Sequence, residues 1–93
     1  MTDTERGEVV SFADKILRRY FCDCDVEFLI STFDPEIVWL GGGENQRAEG
    51  SEAVAKAFRD GRGDLASCRM WGERYVVLPL DGNCILCEGE SLL

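Results

Sequence analysis

Apolar residues recur at helical spacing in the first third of this chain and at strand spacing in its last third. That change of period decides what the chain can become. From Gly7 to Phe21 they fall at Val9, Val10, Phe12, Ala13, Ile16, Leu17, Tyr20 and Phe21. This is the i, i+3, i+4, i+7 stripe of an amphipathic helix, with Asp14, Lys15, Arg18 and Arg19 on the opposite side. The elbow Cys22-Asp23-Cys24-Asp25 breaks the stripe and offers an aspartate N-cap. Val26, Leu29, Ile30 and Phe33 then repeat the spacing until Pro35 ends it.

Glu36-Ile37-Val38-Trp39-Leu40 reads as a strand that is apolar on both faces, so both faces need cover. Gly41-Gly42-Gly43 stops it, and Glu44 to Glu49 reads as a loop or a short returning hairpin. Ser51 is the expected N-cap of a third, short helix with Glu52 in its first turn and Val54, Ala57 and Phe58 as its stripe. Gly61 and Gly63 terminate it. Cys68 to Leu80 follows as one long strand, turned by Asp81-Gly82 into a return from Asn83 to about Ser91. A two-residue turn would set Leu78 opposite Ile85, Val76 opposite Cys87 and Arg74 opposite Gly89, the face expected against the helices. Val77, Tyr75 and Glu73 would face away, opposite Leu86, Glu88 and Glu90, and the Glu73–Glu90 pair would be mildly repulsive. The reading is a single α+β domain over residues 1–93.

Charge and composition exclude several functions. Eighteen acidic against 10 basic residues leave a net charge of −8, and Arg18-Arg19 is the only adjacent basic pair. Such a field repels phosphate backbones and anionic lipid, so no nucleic-acid or membrane partner is expected. No apolar run approaches the roughly 20 residues that span a bilayer, and the first dozen residues lack the apolar core of a signal peptide. A cytoplasmic protein is expected. The five cysteines, Cys22, Cys24, Cys68, Cys84 and Cys87, read as reduced thiols. A metal site from Cys22-x-Cys24 and Cys84-x-x-Cys87 is disfavoured, because histidine is absent and residues three apart in a strand point to opposite faces. No metal or other cofactor is expected. The glycine triplet lacks the Gly-Lys-Ser/Thr of a phosphate-binding loop.

The order helix, helix, strand, Gly-rich turn, short helix, long hairpin resembles the nuclear-transport-factor-2-like superfamily, which includes SnoaL-like and ketosteroid-isomerase-like proteins. The resemblance is carried by Phe33-Asp34-Pro35-Glu36-Ile37-Val38-Trp39-Leu40-Gly41-Gly42-Gly43-Glu44 and by Glu49-Gly50-Ser51-Glu52-Ala53-Val54. It implies a cone, in which a curved antiparallel sheet wraps the helices and leaves a pocket at its open end. It also implies about two further strands. Gly89-Glu90-Ser91-Leu92-Leu93 is still strand-like where the sequence stops, so the domain reads as truncated before its last strands, as in the N-terminal part of a bacterial signalling protein. The unpaired edge invites a second copy, and a homodimer through the sheet or its open edge is expected.

The pocket candidates are Tyr20 on the first helix, Trp39 and Trp71 as pocket aromatics, and Arg47 at the rim. For each, packing or plain solvation is the competing reading. No catalytic residue is assigned. An Asp–His pair is impossible without histidine, and a lone general base among Asp34, Glu36, Glu44 or Glu73 would need burial to lift its pKa. Two functions follow. One is a non-catalytic sensory domain that binds a small, partly apolar molecule or dimerises. The alternative is a small isomerase or dehydratase that uses a pocket carboxylate.

Overall fold

The computed structural model describes residues 1–41 and 46–93. Gly42, Gly43 and the candidate acid Glu44 lie outside the described residues. The chain forms α1 (Asp3–Phe21), α2 (Val26–Ser31), β1 (Val38–Leu40), β2 (Arg47–Glu49), α3 (Ser51–Asp60), a 3-10 turn (Arg62–Asp64), β3 (Trp71–Pro79) and β4 (Ile85–Leu92). It is an α+β structure with two separate antiparallel pairs, β1–β2 and β3–β4. Among the described residues, no helix is long and apolar enough to cross a membrane.

Helix α1 starts four residues before the expected Gly7, because Thr2 closes a capping box. The Thr2 hydroxyl accepts the Glu5 N–H at 3.1 Å and the Glu5 carboxylate accepts the Thr2 N–H at 3.3 Å. Asp25 is the N-cap of α2, its carboxylate accepting the Phe28 N–H at 3.0 Å. That helix stops at Ser31, short of Pro35. The hydroxyls of Ser31 and Thr32 donate to the carbonyls of Phe28 and Leu29 and compete with helix continuation. Asp34 then organises a turn, accepting the Glu36 N–H on its side chain at 2.8 Å, so β1 begins only at Val38.

Ser51 is the first residue of α3 and not its cap. Gly50 occupies the N-cap at φ 85, in the left-handed region that favours glycine. Backbone tethers replace a side-chain cap there, with Gly50 N–H on the Ile37 carbonyl and Ser51 N–H on that of Pro35.

The buried core comprises Val26, Val54, Ala55, Met70 and Val77. Phe58 of α3 gathers the aromatic part, with ring centroids of Tyr20, Phe33 and Trp39 at 5.5, 6.0 and 5.3 Å. Helix α2 is clamped to α3 by Glu27, which accepts from Arg59 at 2.8 and 3.0 Å and from Arg62 at 2.6 Å. The Arg59 hydrogen bond, joined by the charge of Arg62, holds the Glu27 carboxyl down from 4.5 to about 2. The clamp is therefore in full force above pH 4.5 and is lost as pH falls toward 2. A carbon-detected NMR titration is expected to place the Glu27 midpoint near 2, and an unshifted midpoint would rule out the clamp in solution.

The β3–β4 register differs by one residue from the two-residue-turn expectation. Leu78 pairs with Leu86, Val77 with Cys87, Val76 with Glu88, Tyr75 with Gly89 and Arg74 with Glu90. The cause is Asp81. Its carboxylate accepts the N–H groups of Asn83 and Cys84 at 2.7 and 2.9 Å, while the Leu80 N–H bonds the Cys84 carbonyl at 2.9 Å. The loop is thus Asp81-Gly82-Asn83, and a one-residue slip exchanges the faces. Val77, Tyr75 and Glu73 face the helices, while Val76, Leu78 and Leu86 face outward. The expected Glu73–Glu90 repulsion does not arise.

Candidate functional site

Two surfaces of the β3–β4 hairpin can carry function, the groove it forms with α1 and its outer face. Across the groove, α1 presents Asp14 and Arg18 on adjacent turns. The Arg18 guanidinium donates to Asp14 at 2.7 Å and also to Glu73, and the Tyr75 hydroxyl donates to Asp14 at 2.7 Å. Arg6, two turns earlier, donates to the Val77 carbonyl at 2.8 Å. Burial tends to raise the Asp14 carboxyl, but the hydrogen bonds from Tyr75 and Arg18 outweigh it and hold it below its ordinary value. Tyr75 moves the other way. Burial, reinforced by its bond to Asp14, pushes the phenol from 10.0 up to about 12. The bond therefore stabilises the fold fully below pH 10 and is lost as pH rises through 12. An ultraviolet titration should show Tyr75 ionising near pH 12, and Asp14→Asn should bring it only part of the way toward 10, because burial still holds it up. A Tyr75 midpoint that does not move in Asp14→Asn would refute the bond.

Beside this network lies an open cavity of about 310 Å³, lined by Ala13, Ile16 and Leu17 of α1 and by Tyr75, Cys87 and Gly89 of the hairpin. The expected pocket residues lie elsewhere. Tyr20 and Trp39 come together, but on the edges of the Phe58 ring within the aromatic cluster. Trp71 sits exposed beside Arg69 in a separate cleft. Arg47 is exposed and donates to Glu49. Of the candidate acids, Asp34 and Glu36 are exposed and Glu73 is held by Arg18. Among the described residues, no cluster of three side chains could hold a metal ion.

The chain was set against protein-family models, curated proteins and solved structures. None of them matches it.

The outer face of the hairpin is the second surface, and it is the more unusual one. Val76, Leu78, Leu80 and Leu86 are 54, 50, 65 and 47% exposed, a contiguous aliphatic patch of the kind that marks interaction sites. A bulge extends it. The register shifts between Trp71 and Arg74, where Gly72 sits at φ 68, so Trp71 pairs with Leu92. Strict alternation would have aimed Trp71 at the helices, as its odd-numbered neighbours are. The bulge turns it onto the outer face beside Leu92. Between the two apolar ends lies a charged belt in which Arg74 faces Glu90 at 3.5 Å, with Glu88 one level on.

Sequence reasoning missed this surface because it turned Val76 and Leu78 toward the helices and left only Leu86 of the patch facing outward. Asp81 followed by Asn83, a side-chain-capped turn, was the signal that could have found it.

Proposed function

We propose that this chain is a non-catalytic association domain that works as a homodimer through the outer face of β3–β4. The observation that carries the reading is the exposed aliphatic patch of Val76, Leu78, Leu80 and Leu86. Surface area supports it. A compact monomer of this mass exposes about 5,400 Å², whereas this chain exposes 6787 Å². The excess of roughly 1,400 Å² exceeds the ~800 Å² that each partner gives up in a standard interface. The radius of gyration points the same way, at 14.0 Å against about 12 Å for a compact chain of this length.

In this reading the parent fold is a nuclear-transport-factor-2-like, SnoaL-like cone, in which the two strand pairs, separate in this structure, would be joined into one curved sheet. The domain is the cytoplasmic sensory part of a larger signalling protein. A small, partly apolar molecule would enter the cavity between α1 and the hairpin, which association through the outer face leaves open. The non-catalytic reading rests on the acids. Asp34 and Glu36 stand in solvent and the Glu73 carboxylate is engaged by Arg18, so none of the three candidate acids among the described residues has the dry setting a general base needs.

Light scattering is expected to give twice the chain mass of 10.4 kDa for the wild type. Leu78→Glu sets a carboxylate in the patch twice per dimer and should weaken association at least about 100-fold, with unchanged circular dichroism. A wild type that stays monomeric at high micromolar concentration would overturn the proposal.

A further inference from the structure

The outer face also specifies how two copies would meet. We infer that the dimer axis runs parallel to the hairpin, so that β3 of one copy lies over β4 of its partner, with Arg74 paired to the partner's Glu90. This rests on the reading of the outer face as a self-association surface.

In the aligned class of sheet-on-sheet packing, the one considered for this two-stranded face, the strands stay within about 30° of each other at about 10 Å. Only two in-plane two-fold axes preserve that alignment. An axis along the strands exchanges the two strands and keeps every level in place. Each residue then meets the partner's copy of its own cross-strand neighbour. The observed pairs are Trp71 with Leu92, Arg74 with Glu90, Val76 with Glu88 and Leu78 with Leu86. Leu78 would therefore meet the partner's Leu86, Trp71 the partner's Leu92, and Arg74 the partner's Glu90. Three of the four levels match by chemistry, and at the fourth Glu88 lies diagonal to the partner's Arg74.

An axis across the strands reverses the levels instead. Centred on Val76 and Glu88, it sets Arg74 against the partner's Leu78, Glu90 against the partner's Leu86 and Glu88 against the partner's Glu88. That buries charges on aliphatic groups and opposes like charges, both unfavourable.

Two further features fit the first arrangement. The Arg74 and Glu90 side chains are 81 and 72% exposed with 3.5 Å between them, so either can turn to a second copy at little cost. The face is also not flat. Clefts of about 230 and 310 Å³ lie along the Arg74–Glu90 belt and can seat side chains from above.

The arrangement is tested by complementation between copies. Arg74→Glu makes the belt wholly acidic, and Glu90→Arg leaves two arginines at one level. Each variant alone should associate roughly tenfold more weakly than wild type. Mixed in equal amounts, the two should form a heterodimer within about threefold of wild-type affinity, read by native mass spectrometry. In the mixture each chain keeps its own like-charge cross-strand pair, so recovery can come only from contacts between copies. A chain carrying both R74E and E90R should also dimerise. If that chain dimerises while the mixture stays monomeric, the pair acts only within one chain and the arrangement is wrong. Single variants that dimerise as tightly as wild type would also refute it, because the interface would then avoid this level. A monomeric wild type would remove the association reading itself and this arrangement with it, through a measurement made before any variant is mixed.

Discussion

Phe58→Ala is expected to remove about 3 kcal/mol of folding free energy, although the side chain is only half-buried. Phe58 stands where four segments meet, with the Tyr20 ring from α1, the Phe33 ring from the chain after α2 and the Trp39 ring from β1 all within 6.0 Å of its own. Trp39 and Tyr20 approach it edge-on, the geometry in which an aromatic quadrupole adds to burial. Alanine would strip the ring contacts of all three neighbours and leave their half-buried faces open to water. In a domain of this size such a loss lowers Tm by roughly 12–24 °C. Urea unfolding followed by tryptophan emission measures it, and Phe58→Leu should recover about half. A loss below ~1 kcal/mol would show the rings to be in loose surface contact and not a core.

Gly89→Val is the second large effect, of about 2–3 kcal/mol. Gly89 pairs with Tyr75 across the hairpin, and a Cβ at Gly89 would lie 2.7 Å from both Cδ1 and Cε1 of the ring. The ring crosses its partner strand at the one residue with no side chain, which lets the hydroxyl reach Asp14 at 2.7 Å. Valine must push the ring aside and break that bond. The variant should therefore show a lower unfolding midpoint and a Tyr75 ionisation falling from about 12 toward 10. Gly82→Ala is the control, since a Cβ there meets nothing within 4 Å, and it should change stability by less than ~0.5 kcal/mol. A Gly89→Val chain with normal stability and a Tyr75 still ionising near 12 would show that the ring does not depend on the missing side chain.

Both effects depend on contacts between segments far apart in the sequence, and the limits of sequence reading follow the same line. The stripe from Val9 to Phe21 is a local property and needs only helical spacing to be read, so α1 was legible to its last residue. Its first turn was not, because the Thr2–Glu5 capping box precedes the apolar stripe. The Asp25 cap and the β1–β2 hairpin were legible for the same local reason.

The hairpin shows where locality ends. Alternation along Trp71–Pro79 announces a strand, but it says nothing of which face is covered. Turn length sets only which β4 residues share a face with which β3 residues, and the Asp81 carboxylate made the turn three residues long. Docking on α1 then decides which face is covered. The bulge at Gly72 then moved Trp71 against its own alternation. Trp71 therefore faces outward although its position in the alternation would have aimed it inward.

The pocket candidates divide in the same way. Tyr20, chosen for its place on the first helix, and Trp39, chosen as a pocket aromatic, do converge, but on Phe58, because α3 lies between them. No spacing in the sequence shows that a third helix will fill the gap. The groove network of Asp14, Arg18, Glu73 and Tyr75 joins residues up to 61 apart, and only the docking of α1 on the hairpin unites them.

By itself, then, the sequence determined an acidic α+β chain with three helices and a long terminal hairpin, because period, caps and turns act over a few residues. The tertiary structure alone decided which face of that hairpin meets solvent. A strand has two chemically similar faces here, and only packing against α1 distinguishes them.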